Sequence, residues 1–91
     1  MNRERAETIA IQAVSFLAED PERMSRFMVA TGLTQEDFVS RAFETDMLVS
    51  VLDVVAADDP AMMAFVASAD VAPEDVLRAR VVLGGAYDVS T

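Results

Sequence analysis

Met47–Ala57 reads MLVSVLDVVAA, a run of apolar or small residues that one charge, Asp53, interrupts. A helix of this composition has no polar face, so the other segments of the chain must surround it. The β-branched residues would also suit a buried strand, and periodicity alone does not decide between the two. Thr45 and Asp46 form a helix start, and eleven residues is long for a strand but ordinary for a helix. We therefore expect a central helix, in which Asp53 either faces solvent or meets an arginine.

Capping signals on both sides of this run mark further helices. Asn2 is placed to cap a first helix that runs to about Ala18, with apolar residues at helical spacing along one face. Asp20 suits the N-cap of a second helix, and the proline after it suits the first helical position, where its missing N–H is tolerated. The same Asp-Pro pair recurs with Asp59 and predicts the start of a fifth helix.

The turn between the second and third helices has its own signals. Gly32 is expected to end the second helix in the left-handed conformation, with Leu33 making the hydrophobic contact of a Schellman motif. Thr34 and Asp37 resemble a capping box with Asp in place of Glu, and they predict a short third helix. We expect that helix to bury four apolar side chains, those of Phe38, Val39, Ala42 and Phe43.

A sixth helix is predicted to begin at Pro73 and to stop at the glycine pair 84–85. Its expected apolar residues are Val76, Leu77, Val81 and Val82. The predicted fold is therefore all-α, a single compact domain of five or six short helices. The helical domain is expected to cover residues 1–86, and residues 87–91 are expected to form a flexible tail.

The order of the signals suggests an internal repeat. Residues 6–21 align on 45–60, with Asp20 on Asp59, and residues 27–44 align on 65–82. Two three-helix units of this kind would stack as a minimal helical array. The alternative is that capping signals make any two helical runs look alike.

The residue types that the chain lacks exclude several kinds of chemistry. Without Cys it has no disulfide and no thiolate, and without His it lacks the usual metal ligand and the usual general base near neutral pH. Its serines have no His or Lys to activate them. The acidic residues do not have the ligand spacing of an EF-hand loop. We expect no catalytic residue, no metal site and no cofactor.

Charge is the most unusual feature of the composition. Sixteen acidic residues and seven arginines give a net charge of −9, and residues 42–77 hold eight acids and no base. Such a surface disfavours direct binding to nucleic acid and to anionic membranes. Solubility is one explanation, and a docking face for a basic protein partner is the other. The candidate contacts are four acids that no helix start requires: Glu44, Asp46, Asp58 and Asp70.

Arg23 and Arg26 form the most suggestive polar pair. Glu19 is spaced to neutralise Arg23, and Glu22 is spaced to pair with Arg26. The pair is either a local ion-pair cluster that sets the angle between the first two helices or an interaction site.

The five methionines after Met1 divide into two groups by their position. Three fall on apolar stripes and are expected in the core: Met24, Met28 and Met63. Met47 and Met62 would form an exposed patch with Phe43 if both lay at the surface.

The run AEDPERMSRFMVATGL, from Ala18 to Leu33, resembles a small and mostly alphaproteobacterial family of uncharacterised proteins, known as a domain of unknown function. The specific part is D-P-E-R-x-x-R-F followed by T-G-L. The resemblance implies an all-helical bacterial protein of the cytoplasm and supplies no activity or cofactor. It covers nearly the whole chain.

The expected function is a non-catalytic protein-interaction or regulatory module. The alternatives are a metal-dependent or enzymatic accessory subunit and an acidic nucleic-acid mimic. Glu4 and Glu7 interrupt the stretch that would have to be a signal peptide, and no apolar run is long enough to span a membrane. We expect a cytoplasmic protein whose partner is unknown and is basic if the acidic segment is a docking face; its oligomeric state stays open.

Overall fold

A computed structural model describes the backbone of residues 1–89 and the side chains of residues 1–84. Six helices follow one another along the chain: α1 (Arg3–Ala18), α2 (Pro21–Thr31), α3 (Gln35–Arg41), α4 (Thr45–Ala57), α5 (Asp59–Ala69) and α6 (Pro73–Val89). The described backbone contains no strand, and the buried side chains form one hydrophobic cluster. The all-α class and the single compact domain are therefore confirmed.

The predicted central helix, α4, begins at Thr45 and packs against α1, α2, α5 and α6. Its buried side chains are those of Met47, Leu48, Val51, Leu52 and Val55. The prediction that it has no polar face is wrong, because Asp53 and Ala57 lie on an exposed edge. Arg80 of α6 contacts this edge, and its Nε donates a hydrogen bond to Asp53 Oδ1 at 2.6 Å.

Most of the predicted caps are present with their hydrogen bonds. The Asn2 side chain accepts from the Arg5 amide at 2.8 Å, and the Asp20 side chain accepts from the Glu22 amide at 2.9 Å. Thr34 forms the predicted capping box at the start of α3. These bonds satisfy amide groups that the first turn of a helix leaves without partners.

The N-cap of α5 is Asp58, and the prediction of Asp59 is wrong. The Asp58 side chain accepts from the Ala61 amide at 3.4 Å, and Asp59 is already the first helical residue. The helix starts one residue earlier than the Asp-Pro pair indicated, because proline is tolerated in the second helical position as well as the first.

Gly32 ends α2 with the predicted positive φ, 76°. Its amide donates to the Met28 carbonyl at 2.8 Å, which is the single bond of the αL motif. The Leu33 amide donates to Thr31 Oγ1 at 3.3 Å and not to the Met28 carbonyl, so the turn is an αL motif and the prediction of a Schellman motif is wrong. Leu33 is half-buried and packs against the core.

Two of the four side chains that α3 was expected to bury are exposed. Phe38 is buried and its ring meets that of Phe27 edge to face, with centroids 5.4 Å apart. Val39 and Phe43 are each 69% exposed. Neighbouring residues on a helix point about 100° apart, so a seven-residue helix held to the core through Phe38 leaves Val39 outside.

The expected distribution of methionines is partly reversed. Met47, a candidate for an exposed patch, is buried, whereas Met63, expected in the core, is 63% exposed. Met62 is half-buried. The patch of Met47, Met62 and Phe43 therefore does not form.

The predicted stop of α6 at the glycine pair is wrong, because the helix continues to Val89. Gly84 is buried, and a Cβ at this position would lie 2.5 Å from Arg80 Nη1. The glycine thus makes room for a side chain within a continuous helix. The predicted tail, 87–91, overlaps this helix, and residues 90–91 lie outside the described residues.

The buried face of α6 also differs from the expected one. Val76, Ala79 and Leu83 are buried, whereas Leu77 and Val81 are more than half exposed. The two exposed residues are four positions apart and share one face, so α6 turns its other face to the core.

The helix-capping features of residues 20–37 recur in residues 58–75, each one 38 positions later. Asp20 and Asp58 are both N-caps, and Gly32 and Asp70 both end a helix with positive φ. The amides of Thr34 and Ala72 both donate to an aspartate three residues later at 3.2 Å. The caps therefore align Asp20 with Asp58, and the alignment with Asp59 is wrong.

The repeated left-handed positions predict stability effects of opposite sign. Gly32→Ala should lower the free energy of unfolding by about 1 kcal/mol, because alanine is strained at this φ and a methyl group would gain no contact within 4 Å. Asp70→Gly should raise it by up to about 1 kcal/mol, because glycine relieves the strain of the left-handed backbone. Urea unfolding measures both. A neutral Gly32→Ala or a destabilising Asp70→Gly would contradict these assignments.

Candidate functional site

Arg23, the first candidate residue, joins the end of α1 to the start of α2. Its Nη1 donates to the Phe16 carbonyl at 3.3 Å, and its guanidinium carbon lies 3.9 Å from the centroid of the Phe16 ring. Its Nε is 3.7 Å from Asp20 Oδ2, so Asp20 and not the predicted Glu19 is its acidic partner. The carbonyls in the last turn of a helix carry partial negative charge and need donors, and Arg23 supplies one to α1.

Arg26 makes the predicted pair with Glu22, with Nη2 and Oε1 2.6 Å apart. Both side chains are well exposed, so the pair stabilises α2 only slightly. Arg26 and Arg23 line a narrow cleft of about 30 Å³ between α1, α2, α4 and α5, together with Asp58. The structure thus brings three of the six candidate residues together, and each of them already has a local partner.

The acidic candidates also have local partners or local roles. Arg41 Nε lies 3.1 Å from Glu44 Oε1, and Arg41 Nη2 lies 3.9 Å from Asp46 Oδ2. The hydrogen bond and the charge of Glu44 raise the pKa of the Arg41 guanidinium. Asp58 caps α5, and Asp70 ends it with φ 57°. The prediction that no helix start requires these four acids is therefore wrong for Asp58, whereas Asp70 lies at the end of a helix.

An apolar groove between α2 and α3 is the feature that sequence reasoning missed. Its volume is about 280 Å³, and it is lined by Ala18, Pro21, Met24, Met28, Gln35, Phe38 and Val39. We call it the α2–α3 groove. The feature of the sequence that could have indicated the groove is the short length of α3. A seven-residue helix could not bury both Phe38 and Val39.

Metal and membrane sites receive no support from the described residues. Among residues 1–84, no three acidic side chains lie close enough together to hold a metal ion. None of the helices within residues 1–89 combines the length and the hydropathy that crossing a membrane requires.

Comparison with known proteins adds a family. A family model described as "Protein of unknown function (DUF3572)" matches residues 3–86. No curated protein and no solved structure matches the chain.

The contacts of the two arginines predict unequal effects on stability. Arg23→Leu should lower the free energy of unfolding by about 1–2 kcal/mol, because it removes a hydrogen bond to a carbonyl and a cation–π contact. Arg26→Leu should lower it by less than about 0.5 kcal/mol, because it removes only an exposed pair within one helix. Urea unfolding of the two variants tests the difference, and equal losses would contradict the structural role of Arg23.

Proposed function

Because the family match covers residues 3–86, the chain belongs to the DUF3572 family of proteins of unknown function, and we propose that it is a non-catalytic protein-interaction module. The observation that carries the proposal is the α2–α3 groove, with Val39 exposed at its edge. Exposed apolar grooves of this kind mark interaction sites more often than isolated apolar residues do.

The groove has the form of a helix-binding site. On α2 it is lined by Pro21, Met24 and Met28, which recur at helical spacing. On α3 it is lined by Phe38, which forms the buried floor, and by Val39. An amphipathic helix can lay its apolar face between two such stripes, and methionine side chains adapt readily to the shape of a ligand.

Charge supports a basic partner. Glu19 follows Ala18 of the groove and Glu36 follows Gln35, and both acids are exposed. Within residues 1–84 neither carboxylate has an ion-pair partner. With the net charge of −9, they would attract a helix carrying Arg or Lys beside its apolar face. The proposed occupant is therefore a basic amphipathic helix of a partner protein.

The proposal places the protein in the bacterial cytoplasm, as the family resemblance of the D-P-E-R-x-x-R-F motif implies. It includes no direct contact with nucleic acid or membranes, since the strong negative charge disfavours both. The alphaproteobacterial distribution implied by the same motif is part of the proposal.

Site-specific photocrosslinking in the native bacterium tests the groove. A photoreactive phenylalanine is introduced at position 39, and at position 29 as the matched control, because Val29 is also exposed and does not line the groove. We expect a crosslinked partner from position 39 only. Mass spectrometry should place the crosslink in a basic amphipathic helix.

A synthetic peptide of the crosslinked segment then provides the quantitative test. We expect it to bind the wild-type protein and the Val29→Asp variant alike, and Val39→Asp at least about tenfold more weakly, because a carboxylate replaces an apolar side chain that the bound helix would cover. Binding should weaken between about 50 and 500 mM salt, because salt screens exposed charges. Crosslinking from both positions, or equal binding by both variants, would contradict the proposal.

A further inference from the structure

An apolar side of α6 is left uncovered by the described part of the chain. Leu77 and Val81 are more than half exposed and lie next to each other, because residues four apart on a helix are neighbours. A pocket of about 270 Å³ at this place is lined by Met1, Leu77, Arg78, Val81 and Val82. We call the exposed residues along this side of the helix the α6 face: Glu74, Leu77, Arg78 and Val81.

The repeat of 38 positions places a similar apolar pair in the first half of the chain. Val39 and Phe43 stand 38 positions before Leu77 and Val81, and both are exposed. The residue that precedes each pair is buried in both halves. The exposure of Leu77 and Val81 is therefore a repeated feature of the fold, which isolated apolar residues at a surface are not.

Charge distinguishes the two halves. Glu36 and Glu74 occupy equivalent exposed positions, but Arg78 stands where the first half has Ser40. The first half thus presents only an acid beside its apolar pair, whereas the second half presents an acid and a base. A basic helix suits the first arrangement but would meet Arg78 in the second. The two halves therefore require different partners.

Both charges of the α6 face are open to a second molecule. No described residue forms a hydrogen bond or an ion pair with the Glu74 carboxylate. Arg78 makes one loose contact, with Nη1 3.8 Å from Asp75 Oδ1, and its side chain is largely exposed. Asp75 also accepts from the Ala72 amide at 3.2 Å, so its carboxylate is shared. Exposed contacts of this kind are weak and are easily exchanged for better ones.

We propose that the α6 face binds the α6 face of a second copy of the chain, with the two helices antiparallel across a twofold axis. In such an interface residue i of one copy meets residue j of the other, and j meets i. An axis at the level of residue 76 sets Glu74 of each copy opposite Arg78 of the other. The two Leu77 side chains then meet beside the axis, between the two ion pairs. A parallel arrangement would instead set like charges against each other.

A second copy is the occupant that satisfies both charges of the face. The net charge of −9 opposes contact between copies in general, but the α6 face carries one acid and one base and is locally neutral. A basic helix would be repelled by Arg78, and an acidic helix would be repelled by Glu74. An uncharged helix would leave both groups without partners.

Sedimentation velocity of the full chain tests the interface. We expect the wild-type protein to change from monomer to dimer as its concentration rises from about 1 to 500 µM, at about 150 mM salt, which screens the general repulsion. Leu77→Asp should remain monomeric, because it sets two carboxylates against each other beside the axis. Val29→Asp makes the same change at an exposed position on α2 and should dimerise normally. Val39→Asp should also dimerise normally, which keeps this test independent of the α2–α3 groove.

Exchange of the charges tests the antiparallel pairing. Arg78→Glu sets acid against acid and Glu74→Arg sets base against base, so each should weaken dimerisation at least about tenfold. An equimolar mixture of the two variants should form a heterodimer, because every acid then meets a base. The mixture also shows that both variants are folded. A chain that carries both substitutions should dimerise as the wild type does.

Three results would overturn the proposal. One is a wild-type protein that stays monomeric up to about 500 µM, because a dissociation constant above that corresponds to a very weak interaction. Another is dimerisation of Leu77→Asp at the wild-type level. The third is stronger dimerisation of Glu74→Arg, which would mean that only general repulsion matters, since this substitution lowers the net negative charge by two.

Discussion

The burial of α4 is the constraint on which the rest of the structure depends. Five of its side chains are buried, and α1, α2, α5 and α6 contribute to covering them. Exposing that apolar surface to water would be unfavourable in proportion to its area, so the helices that touch α4 have little freedom in their placement. The remaining exposed edge carries Asp53, which Arg80 of α6 contacts. The proposed α2–α3 groove lies elsewhere, on the side of α2 and α3.

Helix starts could be predicted from the sequence because they depend on residues within a few positions of one another. Asn2, Asp20 and Thr34 each accept a hydrogen bond from an amide two or three residues later. The error at Asp59 arose where two aspartates precede the proline, since either could serve as the cap. Local rules set the existence of a cap but left an uncertainty of one residue in its position.

Features that depend on contacts between distant residues could not be predicted from the sequence. They are the buried faces of α3 and α6, the end of α6 and the α2–α3 groove. Val39 and Leu77 are apolar and were therefore predicted to be buried. They face outward because their neighbours Phe38 and Val76 pack into the core. Gly84 lowers helix propensity, but tertiary packing of α6 outweighs that cost, as it commonly does. The sequence predicted the pair of Arg26 with Glu22 correctly, but it assigned Arg23 the wrong acidic partner.

Native-state hydrogen exchange tests the central role of α4 most directly. Amides of Val51, Leu52 and Val55 should exchange only through global unfolding, so that their opening free energies equal the free energy of unfolding from urea. Amides of α3, which is held to the core mainly through Phe38, should open at lower free energy. If the α4 amides exchanged as readily as those of α3, the fold would not depend on the burial of α4, and the account would be wrong.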